Sequence, residues 1–255
     1  MKKFTVLTQS YHQEDFLVIL LKSFEKFKPK DFDIEYVVVE GSDDVSYKEK
    51  VCNISSNIKW FNNVESDTNN PINGASTANG LNIEFGKQFI ESEWTFVCHN
   101  DIAVTSKNFF NIFQNLTQKY DLISMCKDNI RIGACHISGL FVKTNILKQV
   151  DCMPFLPELD VGDNLTVFCR DNELNYISLP NTHNDPGLWD NLSGEWSDIG
   201  KDAGVDRCVV DNEVIFTHLG RGTPKFLKSY FKEGKVTYEG WKLLHSEYLS
   251  EDNTQ

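Results

Sequence analysis

Three apolar runs of the sequence end in short polar segments whose side chains could act on a polar ligand. The run "FVCHND" ends in His99, Asn100 and Asp101, and two earlier runs end in "TQSYHQ" and "EGSDD". A later run, "VIFTHLGRGT", ends in His218 and a glycine-rich turn that contains Arg221. Carboxylates and imidazoles accept hydrogen bonds, take up protons or bind cations. Which of these they do here depends on the elements that position them.

The spacing of apolar residues predicts β-strands that alternate with α-helices. Residues 4–8 favour a strand, and "EDFLVILLKSFEKF" has its leucines and phenylalanines at helical spacing. The segments "DIEYVVVE", "EWTFVC", "DLISMC", "SGLFVK" and "ISLP" indicate further strands. Helices are predicted at "TNIL", at "LTVFCRDNELNY" and after "NGASTANG". The apolar face of the last of these comprises Ala78, Leu81, Phe85 and Phe89.

This alternation predicts an α/β fold with a mostly parallel central sheet and helices on both faces. In such sheets, ligands bind outside the carboxyl ends of the strands. The segments "TQSYHQ", "EGSDD" and "CHND" all follow predicted strands. We therefore expect them to line one crevice.

Composition limits the class of ligand. The chain has 255 residues, 40% of them hydrophobic, and no linker-like stretch divides it, which favours one sizeable domain. The formal net charge of -12 argues against binding to nucleic acid or to an anionic membrane, since both need clustered Lys and Arg. An anionic ligand must therefore be bound by local groups.

Cysteine usage and the N-terminal segment bear on the compartment. The seven cysteines form no CxxC pair, which favours reduced core residues over a disulfide framework or a zinc site. No apolar run approaches the roughly 20 residues that cross a bilayer. The start "MKKFTVLTQS" enters a strand without a signal-peptide core. We expect a soluble, cytoplasmic protein without a transmembrane segment.

The order of these motifs resembles that of family 2-like glycosyltransferases of the GT-A fold. The resemblance covers roughly residues 4–180 and is carried by the first strand and its polar loop, "VVVEGSDD", "NGASTANGLN", and the strand that ends near an Asp-x-Asp motif. It implies a single Rossmann-like GT-A domain with a C-terminal helical tail. It also implies a hexosyltransferase-like enzyme that moves a sugar from a nucleoside-diphosphate sugar to an acceptor hydroxyl, in glycan or polysaccharide synthesis.

The resemblance divides the chain into three parts within one domain of residues 1–255. Residues 1–105 would form the nucleotide-sugar-binding half and residues 106–223 the acceptor-side half. Residues 224–255 would form the helical tail, with two amphipathic helices between Pro224 and Tyr248.

A divalent cation is the cofactor that this resemblance implies. The motif departs from Asp-x-Asp because His99 replaces the first aspartate, which leaves Asp101 as its single carboxylate. Hard cations such as Mn²⁺ or Mg²⁺ bind carboxylates, waters and substrate phosphates, so one further ligand would suffice. His218 is the expected further ligand and His99 a candidate, and an imidazole at the site favours Mn²⁺ over Mg²⁺.

The segment "PELDVGDNLTVFCRDNELNY" resembles the acceptor-side acid motif of inverting members. It offers Asp160 and Asp163, of which Asp163 aligns better as the base that takes the acceptor proton. A first-turn acid or helix N-cap at Asp163 is the alternative, and one residue can do both.

Nucleotide recognition is expected from the loops that follow the first strands. The residues that the resemblance assigns to the nucleotide sugar are Thr8, Ser10, Tyr11, Glu40, Asp43, Asn79 and Arg221. The acidic side chains among them would accept hydrogen bonds from the base or the ribose, and Arg221 would bind the diphosphate.

Residues 181–213 lack periodicity, are rich in Asp, Asn and Gly, and contain Trp189 and Trp196. Long loops of this kind are often lids or binding loops. The tryptophans would stack on an acceptor sugar or, equally, anchor the loop to the core.

Two other functions remain open. A sugar-nucleotide nucleotidyltransferase needs a glycine-rich, basic loop after the first strand, and "TQSYHQED" contains neither Gly nor Lys. A non-catalytic nucleotide- or carbohydrate-binding protein of the same fold would bind a sugar nucleotide without hydrolysing it.

Overall fold

Strands and helices alternate along most of the chain. The computed structural model describes residues 2–66, 74–129, 131–192, 205–220, 241–242 and 245–250. The strands are β1 (Lys3–Ser10), β2 (Asp33–Glu40), β3 (Ile58–Asn62), β4 (Trp94–Cys98), β5 (Ile102–Val104), β6 (Leu122–Ser124), β7 (Gly139–Lys143), β8 (Tyr176–Ser178), β9 (Asp206–Val210) and β10 (Glu213–His218). The α-helices are α1 (Glu14–Phe27), α2 (Lys48–Cys52), α3 (Gly74–Gly86), α4 (Asn108–Leu116), α5 (Thr144–Gln149), α6 (Asp163–Asp171) and α7 (Ser246–Leu249). Short 3-10 helices span Val64–Ser66, Lys87–Phe89 and Pro186–Asn191.

The central sheet has seven strands in the order β3-β2-β1-β4-β7-β6-β8. All of them are parallel except β7, which pairs antiparallel with β4 and with β6. The predicted α/β fold with a mostly parallel sheet is therefore confirmed. The parallel strands β2, β1 and β4 are neighbours, so their carboxyl ends lie at the same edge of the sheet.

Side chains alternate between the two faces of the sheet, and each face is covered by helices. On β1, Phe4 and Val6 belong to one apolar cluster with residues of α1 and α4, whereas Leu7 belongs to a second cluster with residues of α3, α5 and α6. Burial on both faces explains the near-continuous apolar runs of β1, β2 and β4, because neither face of these strands meets solvent.

A second, antiparallel sheet has three strands in the order β5-β10-β9. The chain leaves the central sheet at Cys98 and enters β5 at Ile102, so the polar segment between them joins the two sheets. In this sheet His218 pairs with Ile102 on one side and with Asp206 on the other. The strand pairing therefore brings the end of β10 next to the segment that follows β4.

The prediction of one loop over residues 181–213 is wrong in part, because β9 and a 3-10 helix lie within this segment. The strand has only five residues, "DRCVV", and it is stabilised by pairing with β10 rather than by a long pattern of its own. Trp189 lies in the 3-10 helix, and Trp196 lies outside the described residues.

The predicted apolar face of α3 is also wrong in part. The fully buried residues of α3 are Gly80, Asn82, Ile83 and Gly86, and none of them is in the predicted set of Ala78, Leu81, Phe85 and Phe89. A Cβ on Gly86 would lie 2.5 Å from Leu7 Cδ1, so this helix approaches the sheet through a residue without a side chain. The prediction holds for Phe85 and Phe89, which are partly buried against the core, and Phe89 stacks on Phe61 of β3 with ring centroids 3.9 Å apart.

Only part of the predicted C-terminal tail is described. Trp241 and Tyr248 are buried in a cluster with Phe16 and Ile19 of α1, and most of the predicted helix from Pro224 lies outside the described residues.

All seven cysteines are unpaired, and six of them are buried. Among the helices that the structure describes, none combines the length and the apolar character needed to span a bilayer.

Candidate active site

The polar segments after β1, β2 and β4 lie side by side. Ser10 pairs in register with Glu40, and Thr8 pairs with Cys98, one residue before His99. The three polar segments therefore lie together at this edge of the sheet, and the crevice that they would line stays a prediction.

Three candidate metal ligands meet at this edge. His99, Asp101 and His218 each offer a ligand atom, and these atoms all lie within 4.8 Å of one another. Asp101 Oδ1 is 3.4 Å from His218 Nε2 and 4.0 Å from His99 Nδ1. Asp101 and His218 are buried. We call these three residues the HDH cluster.

The outer nitrogens of both imidazoles also have partners. His218 Nδ1 is 3.4 Å from Asp206 Oδ2, and His99 Nε2 is 3.1 Å from Asn79 Nδ2. Imidazoles that bind metals usually hydrogen-bond a carboxylate or an amide through the nitrogen that does not bind the metal. If a cation binds Nδ1 of His99, the ring proton is on Nε2 and needs an acceptor. A 180° flip of the Asn79 side-chain amide places its Oδ1 there, in the position of Nδ2.

Burial and nearby carboxylates set the charges of these groups. Burial lowers the pKa of His99 to about 3, although Asp101 opposes the shift. Burial also lowers the pKa of His218, but Asp101 and Asp206 outweigh it and raise that pKa to about 10. Burial raises the pKa of Asp206. Hydrogen bonds from His183 and His218 lower it by more, so the pKa of this carboxyl lies well below its usual range. In the chain without a cation, His218 therefore carries a positive charge between two carboxylates.

The HDH cluster fits a divalent cation. His218 Nε2 is buried and lies 3.4 Å from Asp101 Oδ1, without a hydrogen bond of normal geometry between them. A cation between the two groups would replace the proton on this nitrogen and be bound by both. Two imidazoles and one carboxylate suit Mn²⁺ better than Mg²⁺, which prefers oxygen ligands.

The predicted catalytic acids lie at the start of α6. Asp163 is the first residue of this helix and is buried, and its Oδ2 accepts a hydrogen bond of 2.8 Å from the Asp160 amide. No side chain caps α6, because its N-cap is Gly162 at φ 78°. Burial raises the pKa of Asp163 to about 6, although the Asp160 amide opposes the shift. Asp160 itself pairs with Arg131, whose Nη2 is 3.1 Å from Asp160 Oδ2.

Comparisons with known proteins agree on the architecture. An active-site mutant of LgtC, a GT-A-type protein, superposes with a TM-score of 0.58 over 95% of both chains at 12% sequence identity. The chain has a GT-A fold. The mannosyltransferase PcManGT from Pyrobaculum calidifontis, solved with GDP-Man and Mn²⁺, gives a TM-score of 0.50 at 15% identity over 69% of this chain and 54% of its own. A mycobacterial protein gives 0.50 at 14% identity over 69% of this chain and 65% of its own.

The chain thus spans 54% to 65% of the length of the last two structures. No protein-family model and no curated protein sequence matches it. The comparisons therefore establish the GT-A fold, whereas the assignment to family 2 stays a prediction.

In this GT-A fold the loops after β1 and β2 are tied together. Ser10 Oγ is 3.1 Å from Tyr47 Oη, and His12 Nδ1 is 2.9 Å from Asp44 Oδ2. The buried carboxylate of Glu40 accepts hydrogen bonds from Ser42 Oγ, the His12 amide and the Tyr47 hydroxyl. Glu40 therefore holds the two loops in place, and its binding of a nucleotide stays a prediction.

The other predicted nucleotide-binding residues differ in accessibility. Thr8 is buried, Tyr11 is half-buried against the ring of His12, and Asp43 is exposed. Asn79 lies at the HDH cluster rather than in the loops. Arg221 lies outside the described residues.

Four residues of this region were not predicted from the sequence: Asp128, Arg131, His136 and Asp206. Arg131 joins the two sides of the site, because its guanidinium pairs with Asp128 and with Asp160. Asp128, Arg131 and His136 lie in the loop that follows β6, a strand parallel to β4. A polar loop after a predicted strand was therefore an available signal. Asp206 had a weaker signal, an acid before the short run "RCVV" in a segment interpreted as a loop.

Proposed function

We propose that the chain is a divalent-cation-dependent glycosyltransferase that moves a sugar from a nucleoside-diphosphate sugar to an acceptor hydroxyl, in the synthesis of a glycan. The observation that carries this proposal is the HDH cluster at the carboxyl edge of a GT-A sheet. The similarity to PcManGT, which was solved with GDP-Man and Mn²⁺, supports it.

Asp101, His218 and His99 would hold the cation. A bound Mn²⁺ would neutralise the negative charge that develops on the departing diphosphate. Asp206 and Asn79 hold the two imidazoles in place through their outer nitrogens. Because these partners are part of the folded chain, the ligand geometry is preorganised before the nucleotide binds.

The loops after β1 and β2 would bind the nucleotide. Thr8 and Ser10, buried at the end of β1, and the half-buried Tyr11 after it would supply hydroxyl groups, and the exposed Asp43 would supply a carboxylate from the loop after β2. The contacts of Glu40 with both loops hold them at a constant separation. Arg221 is proposed to bind the diphosphate.

Asp163 would take the proton from the acceptor hydroxyl if the reaction inverts the anomeric carbon. With its pKa raised to about 6, the carboxylate is ionised near pH 7 yet more basic than an ordinary aspartate. A general base is most effective when its pKa is near the working pH. Asp160, paired with Arg131, would position the loop that leads to Asp163.

We further propose the organisation of one domain, with residues 1–105 binding the donor, residues 106–223 facing the acceptor and residues 224–255 forming the tail. The placement of the two proposed binding regions supports this division. The loops after β1 and β2 lie in the first part, and Asp163 lies in the second.

A donor screen tests the function. We expect a set of nucleoside-diphosphate sugars, incubated with the protein and Mn²⁺, to include one that is slowly hydrolysed, because a transferase without acceptor transfers the sugar to water. Release of free sugar and nucleoside diphosphate would be followed by chromatography, with Asp163→Asn and a reaction containing EDTA as controls. Binding of a donor without any hydrolysis would favour the non-catalytic binding protein instead.

A further inference from the structure

A third imidazole, that of His136, lies beside the HDH cluster. Its ring centroid is 5.9 Å from that of His99 and 6.2 Å from that of His218. The backbone of His136 is anchored to the end of β6, because its amide donates to the Cys126 carbonyl at 2.9 Å and its carbonyl accepts from Ser124 Oγ at 3.3 Å. The ring is therefore held at a defined place next to the site.

The hydrogen bonds of His136 determine its tautomer. The Ser138 amide donates to His136 Nδ1 at 3.1 Å, and Ser138 Oγ lies 2.8 Å from the same nitrogen. A backbone N–H can only donate, so Nδ1 must present its lone pair. In the neutral ring the proton is then on Nε2, which makes Nε2–H a hydrogen-bond donor.

This tautomer separates His136 from the three candidate metal ligands. A nitrogen that carries a proton has no lone pair for a metal, and the lone pair of Nδ1 is already engaged with Ser138. No described residue accepts a hydrogen bond from Nε2, in contrast with the outer nitrogens of His99 and His218, which both have partners. His136 is thus a hydrogen-bond donor beside a candidate cation site, and no residue that the structure describes accepts its Nε2–H.

We propose that His136 binds an oxygen of the diphosphate through Nε2–H, beside the cation held by the HDH cluster. This role rests on the proposed function, since the diphosphate is the group that a cation at this cluster would bind. A phosphate oxygen only accepts hydrogen bonds, so it matches a group that only donates. A charged acceptor also makes the stronger hydrogen bond.

The neutrality of the ring matters for this role. A Lys or Arg at this place would repel a cation held by the HDH cluster, whereas a neutral N–H donates without that repulsion. Protonation of His136 would direct a second N–H at the Ser138 amide, which disfavours the charged form. The arrangement therefore provides a donor for the phosphate that leaves the affinity for the cation intact.

Binding of inorganic pyrophosphate tests this role without reference to the nucleotide or to activity. Isothermal titration would measure the affinity for Mn²⁺ alone and then the affinity for pyrophosphate in saturating Mn²⁺. We expect His136→Ala to weaken pyrophosphate binding about 10-fold, the size expected for one charged hydrogen bond, and to change the Kd for Mn²⁺ less than about 2-fold. His136→Gln, whose amide N–H can occupy the place of Nε2–H, should recover most of the loss.

The outcomes separate this inference from the proposed function. Failure of the wild-type protein to bind Mn²⁺ with pyrophosphate would contradict the function itself. Wild-type binding that is unchanged in His136→Ala, or lost together with Mn²⁺ binding, would overturn the role of His136 alone. The tautomer gives a second check: in ¹⁵N spectra of histidine-labelled protein, the ring signals that His136→Ala removes should show the proton on Nε2 and an acceptor Nδ1, and the opposite tautomer would also overturn the inference.

Discussion

His218 lies between two carboxylates, and this position defines its chemistry. Asp101 faces its Nε2 and Asp206 faces its Nδ1, each at 3.4 Å. A carboxylate behind a ligating imidazole orients the ring and increases its basicity as a ligand. Asp206 is therefore expected to act on the cation through His218, without touching it.

Removal of this carboxylate should weaken the metal site. We expect Asp206→Asn to lower the affinity for Mn²⁺ by about 10- to 100-fold, the range known for such outer partners of ligating histidines. Electron paramagnetic resonance of free Mn²⁺ would measure it. Asp211→Asn removes an exposed acid from the turn of the same hairpin, at φ 51°, a backbone conformation that asparagine tolerates, and should leave the affinity unchanged. Equal effects of the two variants would assign the change to net charge instead of to His218.

The environment of Asp163 predicts a pH dependence of turnover. Because burial raises the pKa of this carboxyl to about 6, the base is ionised above that pH and protonated below it. Turnover should therefore rise with pH through about 6 and then level off, and Asp163→Asn should lower kcat by about 100-fold or more with donor affinity retained. A pH–rate profile of wild-type protein and a KM for the donor in the variant measure both.

The same shift predicts the sign of the effect on stability. A carboxyl whose pKa is raised on folding stabilises the folded state at pH values below its unfolded pKa, and this stabilisation is lost as pH rises through about 6. At pH 7.5 the Asn variant should thus have a Tm equal to that of the wild type or higher. A large drop in Tm with kcat unchanged would show that Asp163 serves only to close the turn before α6.

At the scale of elements, the site is made by strand ends, and this explains what could be predicted from sequence. Asp101 and His218 each terminate an apolar run, so a local pattern marks both of them. Asp206 pairs with His218 across a hairpin, and the strand that carries it has only five residues. Such a strand is stabilised by its partner, so its own sequence has too little pattern to reveal it.

The face of α3 was mispredicted in part for a related reason. Periodicity identifies large apolar residues, whereas the closest approach of this helix to the sheet is at Gly86, which carries no apolar signal. Asn79 lies in the helix start that supports the resemblance, but its place next to a candidate metal ligand was not predicted. Its contact with His99 depends on the close approach of α3 to the sheet.

The close approach of α3 can be tested at Gly86. A Cβ there would lie 2.5 Å from Leu7 Cδ1 and 2.9 Å from Val39 Cγ2, so Gly86→Ala should lower the free energy of unfolding by about 1–3 kcal/mol in spite of the better helix propensity of alanine. Urea denaturation would measure this. Gln88→Ala, at an exposed position in the next turn, is the control and should change stability by less than about 0.5 kcal/mol. An equal or greater stability of Gly86→Ala would show that the helix lies farther from the sheet.

At the scale of the whole molecule, helices cover both faces of the central sheet, and the burial of the cysteine thiols reflects this packing. Six of the seven cysteines are buried and Cys52 is partly exposed, with its pKa raised by partial burial. Ellman's reagent at pH 8 should therefore react with one thiol in the native protein, slowly, and with all seven after denaturation. Cys52→Ser should remove the native reaction, and rapid reaction of several thiols in that variant would contradict the closed packing.

The proposed function depends on a cation that links the fold to the nucleotide. A thermal-shift titration of nucleoside diphosphates with and without Mn²⁺, on wild-type protein and on Asp101→Asn, tests this link most directly, because a ligand that binds only the folded state raises Tm more as its concentration rises above its Kd. We predict that at least one nucleoside diphosphate stabilises the wild type only when Mn²⁺ is present. Asp101→Asn should fold with a similar Tm and lose that stabilisation. Mn²⁺-independent stabilisation, or an Asp101→Asn variant that responds like the wild type, would contradict the role of the HDH cluster and the function proposed from it.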